Sequence, residues 1–164
     1  MAKAAAVANE FLALAAKDPA YRFIDQMKLQ KLVFYAQAWH LALKGTELFG
    51  EDIHAWEWGP VVPEIYYQTR KYGRQNVEQP ILSMNADGKW EAPQVKDESE
   101  RELIQNVWDA HKRLSGIQLS NATHATGEPW TIVRDGLGGD LSSKPRISPE
   151  IIEAVFKKKL RLLN

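Results

Sequence analysis

The stretch from Asp25 to Gly45 limits the fold more than any other part of this sequence. Leu29, Leu32, Val33, Ala36, Trp39 and Leu43 recur at the three- and four-residue steps of a helix. Asp25 stands where an N-cap belongs, and Gly45 where the chain leaves a helix through a left-handed residue. A helix this long with an apolar stripe has to be covered by other elements, so the rest of the chain is read for what can cover it.

Residues 2–17 are Ala-rich, carry Val7, Phe11, Leu14 and Ala15 at helical spacing, and stop at Asp18-Pro19, which predicts a first helix. From Ile53 to Trp58 the period changes to two, with His54, Trp56 and Trp58 on one side and Ile53, Ala55 and Glu57 on the other, as in a half-buried strand. Gly59-Pro60 is expected to break that strand, and Pro60 and Pro63 to lead into a third helix through Ile65, Tyr66 and Thr69 to Gly73. Residues 81–84 and 89–92 flank Asn85-Ala86-Asp87-Gly88 as a hairpin, expected to share one small sheet with the strand at Ile53. Ser99 with Glu102 reads as a capping box before a helix bearing Leu103, Ile104, Val107, Trp108, His111 and Leu114. Ser120 is read as the cap of a short helix stopped by Gly127, and Glu128-Pro129-Trp130 as the start of another. A loop expected to be mobile, Gly138 to Pro145, precedes a last helix over 148–163, with Ser148 as cap and Ile151, Ile152, Val155, Phe156 and Leu160 along it. The expectation is a mainly α domain of six or seven helices with a small antiparallel sheet.

The 164 residues suit a single domain, 1–164, and a 45% hydrophobic, 26% charged composition is that of a chain able to fold alone. Lysine plus arginine equals aspartate plus glutamate at 21 each, so no overall field draws the chain to a phosphate backbone, and nucleic acid is not an expected partner. The absence of cysteine excludes disulfides, thiolate nucleophiles and Cys-based metal sites. The apolar start is interrupted by Asn9 and Glu10 and lacks a cleavage region, so neither a leader nor a membrane span is expected and the chain is read as cytoplasmic.

Motifs for chemistry are missing. His40, His54, His111 and His124 are scattered without ligand spacing, and there is no nucleophile elbow, SxxK pattern or glycine-rich phosphate loop, so no metal, cofactor or catalytic residue is assigned. His124 with Glu128 admits an acid/base pair, although a hydrogen bond that fixes a short helix is the simpler use. Lys157-Lys158-Lys159 with Arg161 suits a solvated helix end as well as an anionic partner. Of the six tryptophans, Trp39 and Trp108 fall in helical stripes and read as core. Trp56, Trp58 and Trp130 lie beside Gly-Pro or Glu-Pro breaks, where core and interface are equally open readings.

Two blocks carry a resemblance. The first runs from Lys28-Leu29-Gln30-Lys31-Leu32-Val33-Phe34-Tyr35-Ala36-Gln37-Ala38-Trp39 through Gly45 and Leu48-Phe49 to Ile53-His54-Ala55-Trp56-Glu57-Trp58-Gly59-Pro60-Val61-Val62-Pro63 and Tyr66. The second is Ser120-Asn121-Ala122-Thr123-His124-Ala125-Thr126-Gly127-Glu128-Pro129-Trp130, a Thr-His pair followed by Pro-Trp. In this order they resemble the Panacea domain family of SocA-like, phage-associated antitoxins, over residues 3–136. The resemblance implies a mainly helical fold with a small antiparallel sheet, and a protein that binds and neutralises a toxin encoded beside it, in one branch as an adaptor delivering the toxin to a ClpXP-type protease. It brings no catalytic residue. On this reading the partner-binding residues are Trp56, Trp58, Gly59, Pro60, Val61, His124, Glu128, Pro129 and Trp130, with the alternative that the two blocks simply pack on each other, which turn chemistry favours for Gly59 and Pro60. The competing classes are a DNA-binding regulator of phage or mobile-element origin using the basic last helix, and a small-ligand hydrolase around His124 and Glu128.

Overall fold

The computed structural model describes residues 1–163, and its centre is the helix read first from the sequence. This helix, α2 (Gln26–Lys44), follows α1 (Ala4–Lys17) and is capped by Asp25, whose side chain accepts from the Lys28 N–H at 2.8 Å. It ends at Gly45 with φ +72°. After it come the hairpin β1 (His54–Trp56) and β2 (Gly59–Val61), α3 (Pro63–Thr69) with a single 3-10 turn at Arg70–Tyr72, and the hairpin β3 (Ser83–Met84) and β4 (Trp90–Glu91). Four further helices close the chain: α4 (Glu98–His111), α5 (Gly116–Thr123), α6 (Pro129–Gly136) and α7 (Pro149–Leu163). Among the described residues, seven helices and two pairs of short strands make the fold mainly α, as expected.

α2 packs against α1, α4, α5, α7 and β2 at once. A helix covered on every side cannot keep a polar face, and this one does not present the single stripe the spacing predicts. Lys28, Gln30, Lys31, Gln37 and His40 are buried with Leu29, Leu32, Val33 and Ala36, while Leu43 at the end of the expected stripe is exposed. Each buried polar group has a backbone partner, which keeps the cost of desolvation in check. Lys28 Nζ donates to the Lys112 carbonyl (2.6 Å) and Lys31 Nζ to that of Pro60 (3.4 Å). Gln30 brackets Val62, accepting from its N–H (2.9 Å) and donating to its carbonyl (3.1 Å). Gln37 accepts from Leu48 N–H (2.7 Å) and donates to the Phe49 carbonyl (2.8 Å), and His40 Nδ1 meets the Thr46 carbonyl at 2.6 Å. α7 docks through Phe156, which lies edge-on to Phe34, Tyr35 and Trp39.

Several sequence expectations are corrected. Gly59-Pro60 does not end the strand region but forms the returning strand β2, paired antiparallel with β1 as His54↔Val61, Ala55↔Pro60 and Trp56↔Gly59. Proline is tolerated there because Ala55↔Pro60 is a non-hydrogen-bonded pair: Ala55 directs its N–H the other way, to the Pro145 carbonyl at 2.7 Å. The hairpins form two separate sheets instead of one. α4 is capped by Asp97, which accepts from Glu100 N–H at 3.0 Å, and Ser99 donates to that carboxylate instead of capping. α5 starts earlier than expected, at a capping box of Ser115 and Gln118, so Ser120 lies inside the helix. Leu114, expected on the apolar face of α4, lies beyond its end and is exposed. The cap at Ser148 and the helix openings at Pro149 and Glu128-Pro129-Trp130 stand as read.

Candidate functional site

The first hairpin is held from all sides. The outer edge of β1 is covered by residues 145–147, with Ile147 N–H on the Ile53 carbonyl (2.8 Å) and a bridge between His54 and Arg146. The outer side of β2 rests on α2 through Lys31 and Gln30. Its turn is Glu57-Trp58, and Gly59 after it has φ +120°. A Cβ at Gly59 would lie 2.7 Å from Lys31 Cε and 2.9 Å from Thr123 Oγ1, so both the dihedral and the space demand glycine. Lys31 is 1% exposed, and burial pushes its ammonium down to about 7, against the pull of the Asp25 carboxylate.

The second block closes on the first. Ser120 Oγ donates to the Trp58 carbonyl at 2.5 Å, and Trp130 Nε1 donates to the Trp56 carbonyl at 2.7 Å. The His124 ring stacks on Trp130 with centroids 3.9 Å apart, and the Arg134 guanidinium lies 5.0 Å from the centre of the Trp130 ring. The Trp56 ring meets Tyr66 edge-on at 4.8 Å and Lys144 Nζ at 4.6 Å. Burial, then the charges of Lys31 and Arg134, push the His124 imidazole below the ordinary histidine value, opposed by the Trp58 backbone.

Of the nine predicted site residues, Gly59, Pro60, Val61, Pro129 and Trp130 are buried, Trp56, His124 and Glu128 are half-buried, and Trp58 projects from the hairpin tip at 62% exposure. The two blocks therefore form one unit with Trp58 as its outward aromatic. His124 and Glu128 are not hydrogen-bonded to each other, contrary to the simpler of the two uses read for them. Glu128 stands at the N-cap position of α6 without a side-chain cap bond, and its Oε1 pairs with Lys159 Nζ of α7 at 2.6 Å. Among the described residues, His124 Nε2, Glu128 Oε2, Thr131 Oγ1 and Trp56 Nε1 are buried without a partner. In the basic end, Lys157 pairs with Glu153 at 2.9 Å, so Lys157 and Lys159 both serve local ion pairs.

Lys31, Tyr35, Ser120 and Thr123 stand in the two blocks read from sequence but were not among the predicted site residues. Tyr35 lies one turn beyond Lys31 on α2, and burial with the nearby Glu128 charge pushes its phenol up to about 12. The available signal was the Lys-x-x-x-Tyr spacing inside a run whose apolar residues already pointed everywhere, which leaves the polar residues no solvent to face.

Among the described residues no three His, Asp or Glu side chains gather as a metal site, and no helix is long and apolar enough to cross a membrane. Residues 29–131 match the family described as "Antitoxin SocA-like, Panacea domain". A curated protein of Caulobacter vibrioides, "Antitoxin SocA", is 30% identical over 136 residues, covering 82% of this chain and 72% of the relative. No solved structure matches.

Proposed function

The chain belongs to the SocA-like Panacea antitoxin family, and from that premise we propose that it is an antitoxin that neutralises a cognate toxin by binding it. The observation that carries the reading is the 30% identity to an antitoxin across 82% of the chain, a span that takes in both blocks of the tryptophan unit. The chemistry of that unit suits docking: Trp58 is a large, amphipathic ring already held out by a hairpin fastened on both edges, so little conformational freedom remains to be lost on binding. The toxin surface is covered around Trp58, with Trp56 and His124 at the margin and Gly59, Pro60, Val61, Glu128, Pro129 and Trp130 as the support beneath. Neutralisation proceeds by blockade, or by delivery of the bound toxin to a ClpXP-type protease.

Co-expression with the product of the adjacent gene tests the reading, scoring growth rescue and copurification together. Expected is a toxic neighbour that is rescued in a stable complex, with Trp58→Ala abolishing rescue while leaving the melting temperature unchanged. Rescue that vanishes in a protease-deficient host assigns the adaptor route. A harmless neighbour sinks the antitoxin reading, and rescue undiminished by Trp58→Ala sinks the site.

A further inference from the structure

The chain is neutral overall, but its charges are not spread evenly. Three segments, 17–28, 67–78 and 109–117, meet at the end of the bundle where α2 begins. Ile24 N–H donates to Asn76 Oδ1 (2.9 Å), Val77 N–H to the Ile24 carbonyl (2.8 Å) and Gln26 Nε2 to the Gly73 carbonyl (3.1 Å), which ties the second segment to the first. Lys112 ties in the third, through its carbonyl on Lys28 Nζ and its ammonium on Asp18 at 3.2 Å. Together these segments hold eight lysines and arginines against four acids, so the rest of the molecule carries the compensating negative charge. Of the acids, Asp18 and Asp109 are both engaged by Lys112, and Asp25 caps α2, which leaves Glu78. Lys17, Arg22, Arg70, Lys71, Arg74 and Arg113 are exposed, and none of the six is ion-paired among the described residues.

Aromatic rings stand between these cations. Phe23 and Tyr67 are 55% and 59% exposed, with Tyr21 and Tyr72 half-buried. Arg70 lies 5.5 Å from the centre of the Tyr67 ring, Lys71 5.3 Å from that of Tyr72, and Lys112 and Arg113 5.8 and 5.9 Å from that of Tyr21. The helix dipole accounts for Lys17, Lys112 and Arg113 at the ends of α1 and α4. It does not account for Arg22 and Arg74, which lie on connecting segments, or for the open rings. Four of the chain's eight arginines gather here, and arginine combines phosphate pairing with stacking on flat rings in a way that lysine does not.

We infer that this end of the bundle binds single-stranded nucleic acid, with its arginines and lysines on the phosphates and Phe23 and Tyr67 as platforms for unstacked bases. A single strand offers what the face asks for, negative charge and flat apolar surface alternating along one chain. An acidic protein surface would answer the cations and leave the rings uncovered, and a duplex keeps its bases stacked away from them. A second copy of this chain would set one basic face against another in a symmetric pair. The inference involves neither Trp58 nor its support and does not rest on toxin binding.

The test measures binding of the full chain to fluorescent oligothymidylate and oligouridylate of roughly twelve nucleotides by anisotropy, between about 50 and 200 mM salt. Saturable binding is expected, with the association constant falling against salt at a log–log slope of about −3, as roughly four phosphate contacts imply. Tighter binding of either strand supports the inference and identifies its sugar. Arg74→Gln is expected to reduce the slope by about 0.7. Phe23→Ala and Tyr67→Ala, compared at unchanged melting temperature, are each expected to weaken binding about tenfold and leave the slope as it is. Absence of binding at the lowest salt, or ring variants that bind as tightly as the parent, overturns the inference. Displacement of the strand by polyglutamate of equal charge overturns it in favour of an acidic protein. Equal affinity for a duplex overturns the single-stranded form, and self-association lost in Arg74→Gln overturns the inference in favour of a second copy.

Discussion

The two hairpins of this protein are built from the same parts and live in opposite environments. Each has a lysine on a strand-region carbonyl, Lys31 on Pro60 and Lys3 on Met84. Each has a glutamine that brackets one residue at both backbone groups, Gln30 at Val62 and Gln68 at Leu82. Each has a positive-φ glycine at or next to its turn, Gly59 and Gly88, and each has tryptophan in a strand. In β1–β2 the lysine and glutamine are buried, whereas Lys3 and Gln68 sit at the surface. Identical bonds contribute very differently once water can replace them, so the comparison separates what a hydrogen bond is from what it is worth.

The sharpest way to break the comparison is at the tryptophans. Trp130→Ala removes a buried indole and its bond to the Trp56 carbonyl, and a loss of about 3–5 kcal/mol is expected from chemical denaturation. Trp90→Ala should stay within about 0.5 kcal/mol of the parent, as exposed substitutions do. Equal losses would mean that the second hairpin is as much a part of the cooperative core as the first.

Glycine comes next. Gly59→Ala faces both overlap with Lys31 and Thr123 and a disfavoured dihedral, and is expected to cost about 3 kcal/mol. Gly88→Ala has open space around its Cβ and pays only for φ +76°, about 1 kcal/mol. Denaturant midpoints at unchanged slope measure both, and a Gly59→Ala protein as stable as Gly88→Ala would refute the close packing at Gly59.

Gln30→Ala leaves the Val62 N–H unpaired in the interior, while the Val62 carbonyl keeps the Ile65 and Tyr66 amides, for an expected loss of about 2 kcal/mol, against about 0.5 kcal/mol for Gln68→Ala where water takes over. The pH dependence sharpens the same contrast by a different route. Lys31 titrates at about 7 in the folded chain and at its ordinary value near 10.5 once unfolded. Between those values the unfolded state binds more protons, so stability rises with pH from 7 toward 10, by at most about 1.4 kcal/mol per pH unit. Calorimetric scans across that window should show the rise in the parent and in Lys3→Met and lose it in Lys31→Met; a parent profile matching that of Lys31→Met would contradict a charged-to-neutral transition at this lysine. Above pH 10 the Tyr35 phenol, raised to about 12, acts in the opposite sense and ends the window.

What could be read from sequence follows the range of the interactions. Caps and breaks made within a few residues were legible: Asp25, Gly45, Asp18-Pro19, Pro129 and Pro149 mark helix ends where the structure has them. Two caps went to the wrong residue because competing candidates lay close by, Asp97 beside Ser99 and Ser115 upstream of Ser120. Burial was legible only where periodicity implied it. Nothing local shows that Gln30, Lys31 and Gln37 point into the core, because their partners Val62, Pro60 and Leu48-Phe49 lie 11 to 32 positions away. The same holds for the site. The two blocks were recognisable as blocks, but that Trp130 fastens to the Trp56 carbonyl while Trp58 turns outward depends on a contact across 74 positions.

The amide and ammonium groups along α2 act as a ruler. Because Gln30 must find Val62 and Gln37 must find Leu48 and Phe49 from fixed places on a rigid rod, the segments between them cannot gain or lose a residue without unpairing a buried bond. The four-residue turn at 85–88 and the exposed run 137–140 carry no such obligation to α2. Length variation within this architecture is thereby steered away from the tryptophan unit and into its periphery, and these are the places where an inserted tag or reporter is accommodated.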